Sequence, residues 1–226
     1  AKQNREFFQN NWINSNFLVD IAKAYHKVGI YDEAQKLYLY LIEIMSADQR
    51  ESYYLPMIQA TYDYGNFSLV EDYAAQYNYN YPEGQFTEDI LLIRLKALTA
   101  DERLAEAKQL LPMPLPESGA FHPLAATLFF RTGEYEAAAR TLKEYREAGN
   151  SLDQKHIFFL AESLFQTGRL DEAAEIFSEV DPLEQSFHQS LYRLADINRQ
   201  LGKEQIALTF LEKIVETEEN SLWKQY

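Results

Sequence analysis

The chain of 226 residues contains no cysteine, and only 7 Pro and 8 Gly interrupt it. The lack of cysteine excludes a disulfide framework, a cysteine nucleophile and cysteine-ligated zinc. No stretch of about 18 consecutive apolar residues occurs, so we expect no direct insertion into a membrane. Because helix-breaking residues are few, long segments of the chain are free to form helices.

Positive charge is the scarcer sign, with 21 Lys and Arg against 35 Asp and Glu and a net charge of −14. The basic residues form no cluster, and this balance argues against nucleic acid as a partner. The four histidines lie far apart, and no glycine-rich phosphate-binding motif is present. The sequence therefore predicts a chain that is not an enzyme and that binds no cofactor or metal.

A short motif, Gly-x-(Tyr/Leu)-(Asp/Glu)-x-Ala, recurs along the chain. It occupies residues 29–34, 133–138 and 168–173, and looser copies occupy residues 65–70 and 202–207. Residues 102–107 carry the same pattern with Glu102 in place of the glycine. Outside the interval that spans Glu102, neighbouring motif glycines are 36, 35 and 34 residues apart, which predicts a repeat protein.

Each repeat is predicted to be a hairpin of two helices. Apolar residues recur with helical spacing before the motif, as in Leu18, Ile21 and Ala22, and again after it. The glycine allows the first helix to end in a left-handed conformation, and the acidic residue after it favours the start of the second helix. A small residue twelve positions before the motif alanine, as in Ala22 and Ala34, allows the two helices to approach closely.

A helix-turn-helix unit of this length, with small residues at these positions and an aromatic residue near the turn, resembles the tetratricopeptide repeat. The resemblance covers residues 15–221 and implies an all-α fold, a right-handed α-solenoid (superhelix) of about six repeats. The repeats are expected to start near residues 15, 51, 88, 119, 154 and 188, and the third is atypical because its turn lacks glycine. The style of the turn motif is similar to that of bacterial arrays.

The two ends of the chain continue the repeat register. Residues 1–14 match the second helix of a truncated or capping repeat, and residues 221–226 match the start of a further helix. We therefore expect the chain to be a fragment of a longer array. Exposed ends of this kind, with Phe7, Phe8, Trp12 and Trp223, also offer a route to homo-oligomers.

The resemblance implies that the first helices line a concave groove that binds a peptide or helical partner. Aromatic and arginine side chains, which are typical of binding hot spots, are frequent at these positions. An alternative is that Phe158, Phe159 and Phe165 are buried between neighbouring hairpins. The predicted groove residues are Tyr62, Phe130, Arg131, Lys155, Phe158, Glu162, Phe165, Tyr192, Arg193, Asp196 and Arg199.

The function implied by this resemblance is a non-catalytic scaffold for protein–protein interaction, with a protein or peptide as partner. One alternative is the repeat arm of a larger enzyme or of a polysaccharide or protein export complex. Another is a homo-oligomeric assembly module that associates through the ends of the array. The compartment is not fixed by the sequence, and the bacterial style of the turn favours the cell envelope (periplasm) over the cytoplasm.

Overall fold

The computed structural model describes the backbone of residues 15–116 and 119–223, and the side chains of residues 16–116 and 119–217. In this part of the chain every regular element is a helix and no strand occurs, which confirms the predicted all-α fold. The predictions for residues 1–14, for the side chain of Trp223 and for residues 224–226 lie outside the described residues.

The chain forms two compact units, residues Ala1–Leu110 (unit 1) and Leu111–Tyr226 (unit 2). In unit 1, successive antiparallel helices pack against one another. A 3₁₀ turn, Glu51–Tyr53, precedes α4. The helices of unit 1 are α1 (Ser15–Lys27), α2 (Tyr31–Ile44), α3 (Ala47–Arg50), α4 (Tyr54–Asp63), α5 (Phe67–Asn80), α6 (Thr87–Ala100) and α7 (Leu104–Leu110).

Unit 2 is a stack of three helical hairpins in which each hairpin contacts the next. Its helices are α8 (Phe121–Arg131), α9 (Tyr135–Glu147), α10 (Gln154–Gln166), α11 (Leu170–Phe177), α12 (Phe187–Gln200) and α13 (Glu204–Trp223). Helix α13 continues without a break through residues 221–223, where the sequence predicts the start of a further helix. No glycine or proline occurs between Glu204 and Trp223, so nothing in the sequence ends the helix there.

The turns between paired helices share one backbone geometry. The motif glycines have positive φ, for example 78° at Gly133 and 76° at Gly168. In each turn the amide of the following residue bonds back to the last turn of the first helix, as in Glu134 N to Phe129 O at 2.8 Å. Glu102 adopts the same conformation, with φ of 61°, and Arg103 N bonds to Leu98 O at 2.9 Å. The third hairpin therefore forms the same turn without a glycine.

The small residues predicted to face one another are in the core. Ala22, Ala34, Ala161 and Ala173 are completely buried, as are the bulkier Ile58 and Val70 at the corresponding positions of the second hairpin. Burial of these residues removes apolar surface from water where the two helices of a hairpin meet.

Unit 1 contains a cluster of tyrosines around the loop between α5 and α6. The rings of Tyr54, Tyr77 and Tyr81 contact one another with centroids 5.4 to 5.7 Å apart. The hydroxyl of Tyr77 donates to Glu51 Oε1 at 2.9 Å and accepts from the amide of Phe86, also at 2.9 Å. The tyrosines at the centre of this dense cluster therefore serve packing, although Tyr79 is exposed.

Candidate functional site

The first helices of unit 2 are α8, α10 and α12, and they carry all the predicted groove residues except Tyr62. Tyr62 lies in unit 1 on α4, where its half-buried ring contacts Phe67 with centroids 5.7 Å apart. Burial, and to a lesser degree the charge of Asp63, raises the pKa of the Tyr62 hydroxyl. We therefore treat the residues of unit 2 as one candidate site and leave Tyr62 outside it.

An aromatic pair lies at the centre of this surface. The rings of Phe130 on α8 and Phe159 on α10 stack with centroids 4.0 Å apart and an interplanar angle of 10°. The ring of Tyr135 meets Phe130 edge-on at 5.7 Å, and the ammonium of Lys155 lies 5.3 Å from the centroid of Phe159. Phe130 and Phe159 are half-buried, so part of the stacked pair faces solvent.

Phe158 does not belong to this surface. Its side chain is only 9% exposed and meets Phe177 edge-on with centroids 5.9 Å apart, inside the hydrophobic core of unit 2. One residue along a helix rotates the side chain by about 100°, so Phe158 and its neighbour Phe159 face opposite environments. The groove prediction is therefore wrong for Phe158, which takes the alternative position in the core.

Glu162, Phe165 and Arg193 form an internal tie between α10 and α12. The guanidinium of Arg193 donates two hydrogen bonds to the Glu162 carboxylate, at 2.7 and 2.8 Å, and its carbon lies 4.5 Å from the Phe165 ring centroid. Glu162 is only 6% exposed and accepts a further hydrogen bond from Gln166 at 2.7 Å. The arginine thus compensates a buried carboxylate, which is costly to leave unpaired.

Tyr192, Asp196 and Arg199 lie at the other end of the surface, on α12. Together with Ala195, Ala207 and Leu211 they line an open slot of about 240 Å³ between α12 and α13. The hydrogen bond from Arg199 at 2.8 Å lowers the pKa of the Asp196 carboxyl, although the Arg199 side chain is 74% exposed. The sequence predicts Tyr192, Asp196 and Arg199 as groove residues but does not predict the slot that they line. The sequence alone does not show how α12 and α13 pack.

The two remaining predicted cations are exposed at this face of unit 2. Arg131 is the last residue of α8, and Lys155 lies in the first turn of α10. Lys155 holds its positive charge beside Phe159, in a chain whose net charge is −14.

His26 in unit 1 and His156 in unit 2 make structural hydrogen bonds. His156 is 8% exposed, and its Nδ1 lies 2.7 Å from Asp153 Oδ1 while its Nε2 lies 3.0 Å from Pro123 O. His26 Nε2 lies 2.6 Å from Asp63 Oδ2. Within residues 15–116 and 119–223, no three or more His, Asp or Glu side chains are grouped so as to hold a metal ion.

Among the helices that the structure describes, none combines the length and the apolar character needed to span a membrane.

Comparison with known proteins identifies the repeat. Residues 189–221, which include most of α12 and α13, match the family model described as tetratricopeptide repeat. A comparison with curated protein sequences gives no match. Two solved structures share the fold, and both sources are bacteria, in agreement with the predicted bacterial style of the turn.

The first of these structures is the C-terminal part of a TPR repeat-containing protein from Cytophaga hutchinsonii. It is 16% identical with a TM-score of 0.67, and the match covers 88% of this chain and 78% of that one. The second is a tetratricopeptide repeat protein from Parabacteroides merdae, 16% identical with a TM-score of 0.55, and here the match covers 95% of this chain and 83% of the other. At these identities the likeness shows the fold alone.

Tetratricopeptide repeats are generally non-catalytic scaffolds for protein partners. The helical hairpins, the shared turn geometry, the matched repeat and the two structural relatives lead to the same conclusion. The chain has an all-α, solenoid-type fold built of helical hairpins, and its residues 189–221 match the tetratricopeptide repeat.

Proposed function

We propose that unit 2 is a scaffold module that binds an extended or helical segment of a protein partner. The proposed contact face is defined by Phe130, Arg131, Lys155 and Phe159, on the first helices α8 and α10. The stacked pair of Phe130 and Phe159 is the observation that carries this proposal. Rings already held by each other lose little conformational freedom when a partner covers them, so they contribute contact area at low entropic cost.

The charges around the aromatic pair suggest what the partner carries. Lys155 is exposed beside the pair, whereas the carboxylate of Glu162 on the same helix is buried and already neutralised by Arg193. Lys155 therefore offers a positive charge next to the aromatic pair. We expect the partner segment to place a carboxylate near Lys155 and an apolar side chain on the two phenylalanines.

The tie between Glu162, Phe165 and Arg193 takes a different part in this proposal. Since these side chains satisfy one another, they hold α10 and α12 in position and so shape the face without supplying its main contacts. Tyr192, Asp196 and Arg199 line the slot between α12 and α13, which is separate from this face.

The test is a cross-linking capture from source-cell lysate with quantitative mass spectrometry. The baits are the wild-type chain, a Phe159→Ala, Lys155→Glu double variant and a control variant, Leu183→Ala, whose side chain is 94% exposed outside this face. We expect a protein captured by the wild type and the control to be lost with the double variant. Far-UV circular dichroism and thermal unfolding show that each bait is folded.

A purified partner then allows a direct measurement. Hydrogen exchange should slow in α8 and α10 when the partner is added, because bound segments protect the backbone they cover. Capture of the same proteins by all three baits, with no protection of α8 and α10, would contradict the proposed face.

A further inference from the structure

Within unit 2, α10 and α12 each pack on the preceding hairpin at corresponding positions. The reference alanines Ala126, Ala161 and Ala195 mark the same depth in α8, α10 and α12. Consider two consecutive first helices. The residue four positions after the reference alanine of the earlier helix contacts the residue two positions before the reference alanine of the later helix. Two contacts follow this rule: Phe130 stacks on Phe159, and Phe165 lies under Arg193.

A second contact accompanies the first. In the pair of α8 and α10, the residue five positions before the reference alanine of α10 reaches the residues three before and one after the reference alanine of α8. His156 Nε2 lies 3.0 Å from Pro123 O and 3.1 Å from Thr127 Oγ1. Together the two contacts define how a first helix docks on the hairpin before it.

The slot between α12 and α13 has the same construction and is open to solvent. Three residues that line it occupy the positions that receive the next first helix in the earlier hairpins. Tyr192 is three positions before Ala195, Asp196 is one position after it, and Arg199 is four positions after it. Leu211 lines the slot and is 40% exposed, whereas its counterparts Leu142 and Phe177 in the earlier hairpins are 0% and 1% exposed. The slot is thus an apolar surface of the kind that the other hairpins bury under a following first helix.

Helix α1 exposes the complementary face. Phe17, five positions before the reference alanine Ala22, is 58% exposed. Its counterparts on the other first helices, Phe121, His156 and Ser190, are between 1% and 8% exposed. Ala24 on the same side of α1 is also exposed, while the three residues at its position in unit 2 are completely buried; they are Leu128, Ser163 and Ile197.

We infer that α1 of a second copy of this chain docks in the slot between α12 and α13. The docking rule then places Phe17 of one copy against Tyr192 of the other, and both rings are more than half exposed in the single chain. It also places Asp20, which is exposed, against Arg199, whose side chain is 74% exposed. Phe17 and Tyr192 would thus form an aromatic pair, and Asp20 and Arg199 would form an ion pair. These two pairs correspond to the two contacts between first helices inside unit 2.

This association joins two different surfaces, so each copy keeps one slot and one α1 face available after pairing. Such a heterologous contact adds copies until a ring closes, or continues without closing. The inference goes beyond the proposed function and uses a separate surface, because Phe159 and Lys155 do not line the slot.

The test is sedimentation velocity of the purified chain over a wide range of concentration. Two variants each block one surface: Leu211→Glu places a charge in the slot, and Phe17→Glu places one on α1. The control is Leu183→Glu, at an exposed leucine outside both surfaces. We expect the wild type and the control to increase in mean mass beyond a dimer, and each blocking variant alone to associate roughly tenfold or more weakly.

Mixing distinguishes this arrangement from a symmetric one. Each blocking variant retains the surface that the other has lost, so an equimolar mixture should form one-to-one dimers and nothing larger. A charge exchange tests the register: Arg199→Glu and Asp20→Arg should each weaken association, and the chain carrying both should regain it. Circular dichroism verifies folding, and Tyr192→Glu replaces Leu211→Glu if the latter does not fold.

Three results would overturn the inference. One is a wild-type chain that stays monomeric at every concentration. Another is a mixture of the blocking variants that remains monomeric while the wild type associates, since that would indicate a symmetric contact. The third is equal weakening by the Leu183→Glu control, which would indicate association without a defined surface.

Discussion

At the scale of single residues, the backbone at Glu102 is the clearest departure from the repeat pattern. It is the one residue other than glycine with positive φ in the part of the chain that the structure describes. A side chain in this left-handed region crowds the following carbonyl, and glycine avoids the crowding because it has no Cβ. The turn nevertheless forms its usual hydrogen bond from Arg103 to Leu98.

Glu102→Gly should therefore stabilise the chain, by about 0.5 to 1 kcal/mol, because relief of the crowding exceeds the extra freedom of glycine in the unfolded state. Gly168→Ala is the matched reverse change, and it should destabilise by about 1 kcal/mol. No atom lies within 4 Å of a Cβ built at Gly168, so only the backbone conformation is tested there. Urea unfolding measures both; destabilisation by Glu102→Gly would contradict the argument.

The sequence predicts the turn residues well and the surface residues less well. The motif identifies Glu102 as a replacement for glycine because the spacing of the neighbouring residues is kept. By contrast, choosing between Phe158 and Phe159 needs the rotation of α10 about its axis to within one residue. A run of two aromatic residues on a mostly apolar helix does not fix that rotation.

At the scale of helices, ion pairs join consecutive hairpins. Glu172 on α11 accepts hydrogen bonds from Arg169 at 2.7 and 2.8 Å and pairs with Lys143 on α9. The hydrogen bonds from Arg169, then that from Lys143, lower the pKa of Glu172 to about 2 from its usual 4.5. The ionised carboxylate is thus favoured in the folded chain relative to the unfolded one.

A lowered pKa in the folded state gives stability that is present above the unfolded pKa and lost below it. For Glu172 this contribution is complete above about pH 4.5 and disappears as the pH falls towards 2. Glu172→Gln should therefore lower the melting temperature at neutral pH. The difference in melting temperature between the variant and the wild type should become smaller as the pH falls towards 2. Thermal unfolding across this range measures the effect, with Glu175→Gln on the same helix as the control. A constant difference from the wild type at all pH values would exclude this role.

The helix pairs are predicted from the sequence because each carries its own start and stop residues. The length of α13 is not predicted from the sequence. A new helix is expected to start near residue 221, but no glycine or proline there interrupts α13, which runs on to Trp223. The internal tie between Glu162 and Arg193 is also missed, because the two residues are 31 positions apart and belong to different helices. Only the packing of α12 on α10 brings them together.

At the scale of the whole molecule, stability in a repeat protein is approximately the sum of the hairpins and the interfaces between neighbours. The interface of the second and third hairpins of unit 2 depends on Arg193 because it compensates the buried Glu162. Losing the arginine leaves a carboxylate in the core without its charge partner, which is one of the most destabilising single changes.

Arg193→Ala should therefore destabilise the chain by about 3 kcal/mol, and a Glu162→Gln, Arg193→Ala double variant should regain part of the loss. Urea unfolding gives the free energies. Hydrogen exchange should accelerate first in α12 and α13, while α8 and α9 keep more of their protection. Equal acceleration in all four helices would show that unit 2 unfolds as one block.

The docking rule inside unit 2 also bears on how this sequence can change over generations. The partner of Phe130 lies 29 residues further along the chain, at Phe159, and the partner of Phe165 lies 28 residues further, at Arg193. A second substitution that compensates a change at one of these positions therefore lies in the neighbouring repeat and not in the same one. The residues that must stay compatible with one another thus belong to two consecutive hairpins. Copying a hairpin to another place in the array would preserve its turn but change its contacts with both neighbouring hairpins.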